Sequence, residues 1–142
     1  MTADMFQECS IADIRYLPLV SSVGVIVDLR AALQLDGGNV ELLIIEGVTE
    51  LRISNEDVFA RPMMRTVIAS TPAVEAHGYA MDLAFHPSSV MSIRGRRGIF
   101  HEGVVDEIGD TQPDLGEVSE FWGGFPDWNS PFTICCSTIV EV

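Results

Sequence analysis

The feature that most constrains the fold of this 142-residue chain is an alternation of apolar with mostly polar or small side chains at a period of two. The alternation is clearest in residues 22–30 and 78–86. The side chains that share one face are Val23, Val25, Val27 and Leu29 in the first segment, and Tyr79, Met81, Leu83 and Phe85 in the second. Because successive side chains of a strand point to opposite faces, each segment is predicted to be a β-strand that buries this face.

The residues after the first of these strands predict how it is connected. Residues 36–39 read Asp-Gly-Gly-Asn and suit the positive φ angles of a tight turn, so the first strand and residues 40–46 are predicted to form a β-hairpin. A bulge or bend near Gly47 is predicted to continue the second strand, with Leu51 and Ile53 on its inward side.

The rest of the chain is predicted to contain further short strands. A turn at 95–98 is predicted to join residues 90–94 to Ile99 and Phe100 in a second hairpin. Other predicted elements are strands at 8–17, 64–69 and 132–142, a helical turn at 54–59 capped by Ser54 or Asn55, and a loop at 70–75 containing Pro72. This pattern predicts a mainly-β fold, either an antiparallel β-sandwich or a strongly curved sheet, with at most one or two short helical turns.

Length and composition favour a single β-rich domain over residues 1–142. Domains most often contain about 100 to 150 residues. Hydrophobic residues make up 47% of the chain and charged residues 20%, far from the composition of disordered proteins. A chain of this size buries about two thirds of its unfolded surface, so folding requires neither a metal nor a disulfide. No cofactor is expected.

Cysteine usage points to the inside of a cell. The three cysteines, Cys9, Cys135 and Cys136, are odd in number and include an adjacent pair, which does not suit a disulfide framework. At least one of the adjacent pair is expected to point into the core. The N-terminus lacks a basic segment before an apolar stretch, and apolar runs such as residues 42–45 are too short to cross a bilayer. The sequence therefore predicts a cytoplasmic protein.

The charge of the chain is strongly negative and unevenly distributed. The net charge is −13, from 21 acidic residues and 8 arginines, with no lysine. Residues 1–97 hold every arginine and 12 acids, whereas residues 98–142 hold 9 acids and no arginine or lysine. Such a surface repels nucleic-acid phosphates and anionic membranes, which argues against both as partners. The open alternatives are a solvated face that keeps the protein soluble, or a surface that attracts a basic protein or a cation.

The candidate binding segment is the acidic, loop-rich stretch 102–130. Its aromatic residues either plug one end of the core or anchor a partner; they are Phe121, Trp122, Phe125 and Trp128. The candidate binding residues are Glu102, Asp106, Glu107, Asp110, Asp114, Glu117, Glu120, Trp122, Asp127 and Trp128.

No catalytic or metal-binding motif is evident in the sequence. His77, His86 and His101 lack the close spacing with which two imidazoles share a metal. Asp82 and His86 would share a strand face but lie about 13 Å apart along it, too far for a catalytic couple. The basic cluster of Arg94, Arg96 and Arg97 is expected to be a solvated turn, or to bind the acidic C-terminal third of this chain or a carboxylate of a partner.

Two segments of the first half carry a family resemblance. Residues 6–11 read Phe-Gln-Glu-Cys-Ser-Ile, and residues 42–53 read Leu-Leu-Ile-Ile-Glu-Gly-Val-Thr-Glu-Leu-Arg-Ile. In these segments, about a third of the chain, the sequence resembles bacterial immunity proteins of the Imm50 type, which are small, acidic and β-rich and are found with polymorphic toxins. Where that family tends to carry a His and Asp pair, this chain has Gln7 and Glu8, so the resemblance transfers no binding residue.

These patterns predict a non-catalytic acidic binding protein. The leading hypothesis is neutralisation of a basic protein, such as a toxin, because acidic residues would accelerate association and aromatic anchors would slow release. Three alternatives stay open: a structural or homo-oligomeric domain, a small-ligand binder that uses the aromatic segment, and a hydrolase with a dispersed site. Ionic strength distinguishes neutralisation of a basic protein from homo-oligomerisation, since electrostatic capture weakens with salt and hydrophobic self-association does not.

Overall fold

The computed structural model describes residues 6, 8–30, 38–55, 66–75, 78–86, 89–109 and 125–141. These residues form nine strands and two short 3₁₀ turns, at Pro18–Val20 and Asp106–Ile108. The strands are β1 (Ser10–Leu17), β2 (Ser22–Asp28), β3 (Val40–Glu46), β4 (Glu50–Asn55), β5 (Thr66–Glu75), β6 (Gly78–His86), β7 (Ser89–Gly95), β8 (Arg97–Val104) and β9 (Thr133–Glu141). They make one sheet in the order β4-β7-β6-β5-β1-β2-β3-β8-β9.

Every pair of neighbouring strands is antiparallel, so the mainly-β prediction is confirmed. The sheet is strongly curved, because β6 contacts β8 and β9 although four strands separate it from β8 in the strand order. Tyr79 of β6 meets Phe100 of β8 edge to face, with ring centroids 6.0 Å apart, and Phe6 stacks on the same ring. The main core therefore lies on the inner face of the curved sheet.

The predicted inward faces of the segments 22–30 and 78–86, which contain β2 and β6, are confirmed. Every apolar side chain that was predicted to share these faces belongs to the main core. The predicted hairpin is also confirmed: β2 pairs with β3 from Ser22 opposite Glu46 to Asp28 opposite Val40. At the hairpin end, the Asn39 side chain donates to the Val105 and Gly109 carbonyl oxygens and accepts from the Val105 N–H. These bonds fix the segment after β8 against the end of the hairpin.

The prediction that the strand continues through a bulge or bend near Gly47 is wrong. Gly47 has a φ of +62° and ends β3, and β4 then joins the opposite end of the strand order, where it pairs with β7. Backbone hydrogen bonds from Val48 to Ser21 and from Thr49 to Arg94 hold this crossing. As a result, only one of the two residues predicted to point inward does so: Leu51 packs against the core, whereas Ile53 is 49% exposed.

The predicted hairpin across the turn at 95–98 is also wrong. The strand before the turn, β7, pairs with β6 and β4, whereas the strand after it, β8, pairs with β3 and β9. The Arg96 N–H donates to the Glu46 carbonyl oxygen at 2.8 Å, so this point carries the chain from one half of the sheet to the other.

The predicted loop at 70–75 is the second half of strand β5. Pro72 is tolerated there because the ladder between β5 and β1 contains, among the described residues, the single pair Ser10 and Thr66. A proline disrupts a strand least on such an edge. The predicted helical turn lies, from residue 56 onward, outside the described residues, and Ser54 and Asn55 are the last residues of β4.

Candidate functional site

The structure describes half of the predicted binding residues. Asp106 and Glu107 lie in the second 3₁₀ turn and are exposed, and Asp127 is exposed in the segment before β9. We refer to Asp106, Glu107 and Asp127 as the acidic surface. Glu102 and Trp128 are half-buried. The others lie outside the described residues; they are Asp110, Asp114, Glu117, Glu120 and Trp122, together with the aromatic Phe121.

The carboxylates of the acidic surface have no guanidinium partner within the described ranges. Salt bridges in that part of the chain use other acids: Asp28 with Arg30, Glu50 with Arg52 and Arg94, Asp82 with Arg94, and Glu46 and Glu141 with Arg97. Two members of the predicted basic cluster, Arg94 and Arg97, thus bind the chain's own acids. The negative charge of the acidic surface is not cancelled by these pairs.

An apolar cavity of about 80 Å³ adjoins the acidic surface. Asp127 lines it, and Val105, which directly precedes Asp106, forms part of its wall. The hairpin β2–β3 supplies one side of the cavity and the segment before β9 supplies the other. Its lining residues are Ile26, Val40, Leu42, Val105, Pro126, Asp127, Trp128, Ser130 and Phe132.

Trp128 lies on the outer face of the sheet, away from the main core. Its indole Nε1–H donates to Asp13 at 2.5 Å, and the Arg15 guanidinium lies 5.0 Å from the ring centroid. A Cβ on Gly24 would be 2.7 Å from the indole, so glycine is needed where the ring crosses β2. Trp128 covers a second apolar cluster formed by Ile26, Val40 and Val105.

Phe125 and Arg30 hold the other end of this segment. The Arg30 guanidinium lies 5.9 Å from the Phe125 ring, donates to the Ile108 carbonyl oxygen and pairs with buried Asp28 at 2.6 Å. Phe125 and Trp128 are half-buried. Their burial is therefore intermediate between that of a core plug and that of an exposed anchor. Cation–π contacts and hydrogen bonds thus position the segment that carries Asp127.

Glu102 does not belong to the exposed acidic surface. It lies directly opposite Glu41 in the β3–β8 ladder, and its Oε1 is buried without a hydrogen-bond partner in the described structure. Glu41 is 6% exposed, and burial and the charge of Glu102 raise its pKa to about 7. Sequence reasoning missed this pair, although an acid between Val40 and Leu42 occupies an inward position of β3 and could have revealed it.

The cysteine prediction is wrong for β9. Cys135 and Cys136 are both exposed, because β9 lies at an end of the sheet and its two faces meet solvent over most of its length. Cys9 is buried instead, and burial raises its pKa to about 12, so this thiol stays protonated and unreactive at neutral pH.

The described histidines do not form a catalytic constellation. His101 Nδ1 lies 2.7 Å from the Ser137 hydroxyl on the exposed pair β8–β9, outside the cavity. His86 ends β6 and is exposed, and His77 lies outside the described residues. Within the described ranges, no group of three His, Cys, Asp or Glu side chains is arranged to hold a metal ion.

Comparison of the chain with protein-family models, with curated proteins and with solved structures finds no match. In the described ranges, no helix combines the length and the apolar character that crossing a membrane requires.

Proposed function

We propose that the protein is a non-catalytic binding protein whose acidic surface captures a basic protein. The observation that carries this proposal is that the exposed carboxylates of the acidic surface have no guanidinium partner within the described ranges, whereas Glu46, Glu50 and Glu141 are paired with arginines. Unneutralised carboxylates on a chain of charge −13 produce a field that accelerates association with a cationic partner. In the immunity-type form of this proposal, the partner is a basic toxin.

Decaarginine is a suitable probe of this proposal, because it carries the charge of a basic partner without its fold. We expect decaarginine to bind the protein in fluorescence anisotropy. The affinity should fall at least tenfold as NaCl increases from about 20 to about 200 mM, because the screening of charges becomes much stronger over this range. The double variant Asp106→Asn, Glu107→Gln should bind roughly three- to tenfold more weakly at low salt.

The matched control is the double variant Glu50→Gln, Glu141→Gln, which changes the net charge by the same amount at carboxylates that already have arginine partners. Its affinity should change less than that of the acidic-surface variant. Equal losses in both variants would show that decaarginine senses net charge alone, and binding that is insensitive to salt would contradict the proposal.

Self-association through β9 is the second candidate function. Residues 133–140 carry no charge, and Ile134 and Ile139 are 51% and 57% exposed at an end of the described sheet. Edge strands of this kind are usually protected by charges or prolines, because an open edge can pair with another strand. Association at β9 would strengthen when salt screens the repulsion between copies, whereas capture of a basic protein would weaken.

A further inference from the structure

The cavity beside Asp127 has the size of a side-chain pocket. Its volume of about 80 Å³ is roughly half of the 150 Å³ in which an apolar protein cavity holds benzene. Pockets for small-molecule ligands typically start at about 300 Å³. The cavity therefore suits an aliphatic stem or a flat terminal group more than a whole small-molecule ligand.

The chemistry of the cavity suits an occupant that is apolar along its length and positive at its end. Val40, Leu42 and Val105 are apolar lining residues, and the exposed Asp127 also lines the cavity. Its Oδ1 accepts a hydrogen bond from the Asn129 N–H at 2.8 Å. Asp106 follows Val105 directly and adds a second carboxylate that has no guanidinium partner in the part of the chain that the structure describes. Lysine and arginine are the side chains that combine an apolar stem with a positive head.

Two arginines of this chain contact the same segment but are engaged elsewhere. The Arg15 guanidinium lies over the ring of Trp128, and Arg30 pairs with buried Asp28. Neither is among the residues that line the cavity. Within the described residues, no guanidinium therefore pairs with Asp127, which leaves its carboxylate available to a cationic partner.

We propose that this cavity receives an arginine side chain of the basic partner, with its stem against Leu42 and Val105 and its guanidinium at Asp127. This inference rests on the proposed function and specifies how that surface recognises its partner. Arginine fits better than lysine because a planar guanidinium packs against aromatic rings and pairs with carboxylates through two hydrogen bonds. Trp128 and Phe132 provide aromatic surface in the lining.

The test is to fill the cavity without changing the charge. Leu42→Phe enlarges a half-buried lining residue, and Ile44→Phe makes a comparable enlargement two residues along the same face of β3, outside the cavity lining. We expect Leu42→Phe to weaken decaarginine binding at least fivefold and Ile44→Phe to change it less than twofold, with the same salt dependence in both variants. Decalysine should bind the unmodified protein more weakly than decaarginine does.

A second measurement does not depend on the variants. Titration of the unmodified protein with the tripeptide acetyl-Gly-Arg-Gly-amide should shift the NMR signals of the Val105 amide and the Trp128 indole N–H in a saturable manner. Unchanged decaarginine binding by Leu42→Phe, or the absence of these shifts, would overturn the arginine pocket and leave the acidic-surface proposal standing. Equal binding of decalysine would overturn the choice of arginine. If the unmodified protein does not bind decaarginine in a salt-dependent manner, the proposed function itself is overturned.

Discussion

At the residue scale, Glu41 is the least favourable placement of a charge in the described core. It faces Glu102 across the β3–β8 ladder, and like charges at directly opposed positions destabilise a sheet. Burial and Glu102 raise its pKa from 4.5 to about 7. The folded protein thus binds a proton here that the unfolded chain releases near pH 4.5. This stabilisation is complete below about pH 4.5 and is lost as the pH rises through about 7.

Substitution of Glu41 by Gln is expected to stabilise the protein at pH 8, since the amide keeps the shape of the protonated carboxyl without its charge. A shift of this size corresponds to at most about 3 kcal/mol. Urea unfolding at pH 5 and pH 8 measures the change, which should be small at pH 5. Burial raises the pKa of Cys9, and the charges of Asp28 and Glu41 both raise it further. The Glu41→Gln variant leaves Cys9 and Asp28 unchanged.

Glu102→Gln provides the comparison for this prediction. It removes the neighbouring charge but leaves Glu41 buried, and burial is the larger cause of its raised pKa. Its effect at pH 8 should therefore be smaller than that of Glu41→Gln. If Glu41→Gln has the same pH dependence as the unmodified protein, Glu41 does not titrate in the way described.

At the scale of elements, local patterns predicted strands well and their connections unevenly. The β2–β3 hairpin was predictable because its turn residues and alternating faces are adjacent in sequence. The crossings at Gly47 and Arg96 were not, because they depend on contacts between distant segments, such as the Arg96 N–H donating to Glu46. A local turn signal shows that a strand ends but does not show which strand it will pair with.

Strand β9 shows the same limit for burial. The composition of residues 133–140 suits a core strand, but the sheet order places β9 at an end, with both adjacent cysteines exposed.

The candidate site was predictable in part for a related reason. The exposure of Asp106 and Asp127 could be expected from their charge alone, whereas the inward position of Glu102 follows from its register with Glu41.

The position of β9 predicts the reactivity of the three thiols. Cys135 and Cys136 should react with a thiol-specific reagent such as dithionitrobenzoate in the folded protein, whereas Cys9 should react only after unfolding, because it is fully buried and its pKa is raised to about 12. Titration of free thiols before and after addition of guanidinium chloride would measure this. Cys9→Ala should remove the slow thiol and leave two fast ones. A count of one fast thiol would mean that β9 is covered.

At the scale of the whole molecule, the distribution of charge matters more than its sum. Residues 1–97 contain all 8 arginines, and the described ones that form salt bridges pair with acids of that region or with Glu141. Residues 98–142 contain 9 acids and no arginine or lysine. The surplus of negative charge is therefore concentrated in the part of the chain that carries the acidic surface, as a binding site for a basic protein requires.

This surplus should make the stability of the unbound protein rise with salt. Repulsion among unpaired carboxylates opposes the compact state, and salt screens it. Salt also weakens surface ion pairs such as Arg52–Glu50, but each exposed pair contributes roughly 0 to 1 kcal/mol, and the net charge of −13 leaves repulsion dominant. At pH 7 we expect Tm to rise by roughly 3 °C, equivalent to about 1 kcal/mol, as NaCl increases from about 20 to 300 mM. Near the isoelectric pH of about 4.3 the same increase in salt should leave Tm nearly unchanged. A Tm that falls with salt at pH 7 would show that attractive ion pairs outweigh the repulsion among the unpaired carboxylates.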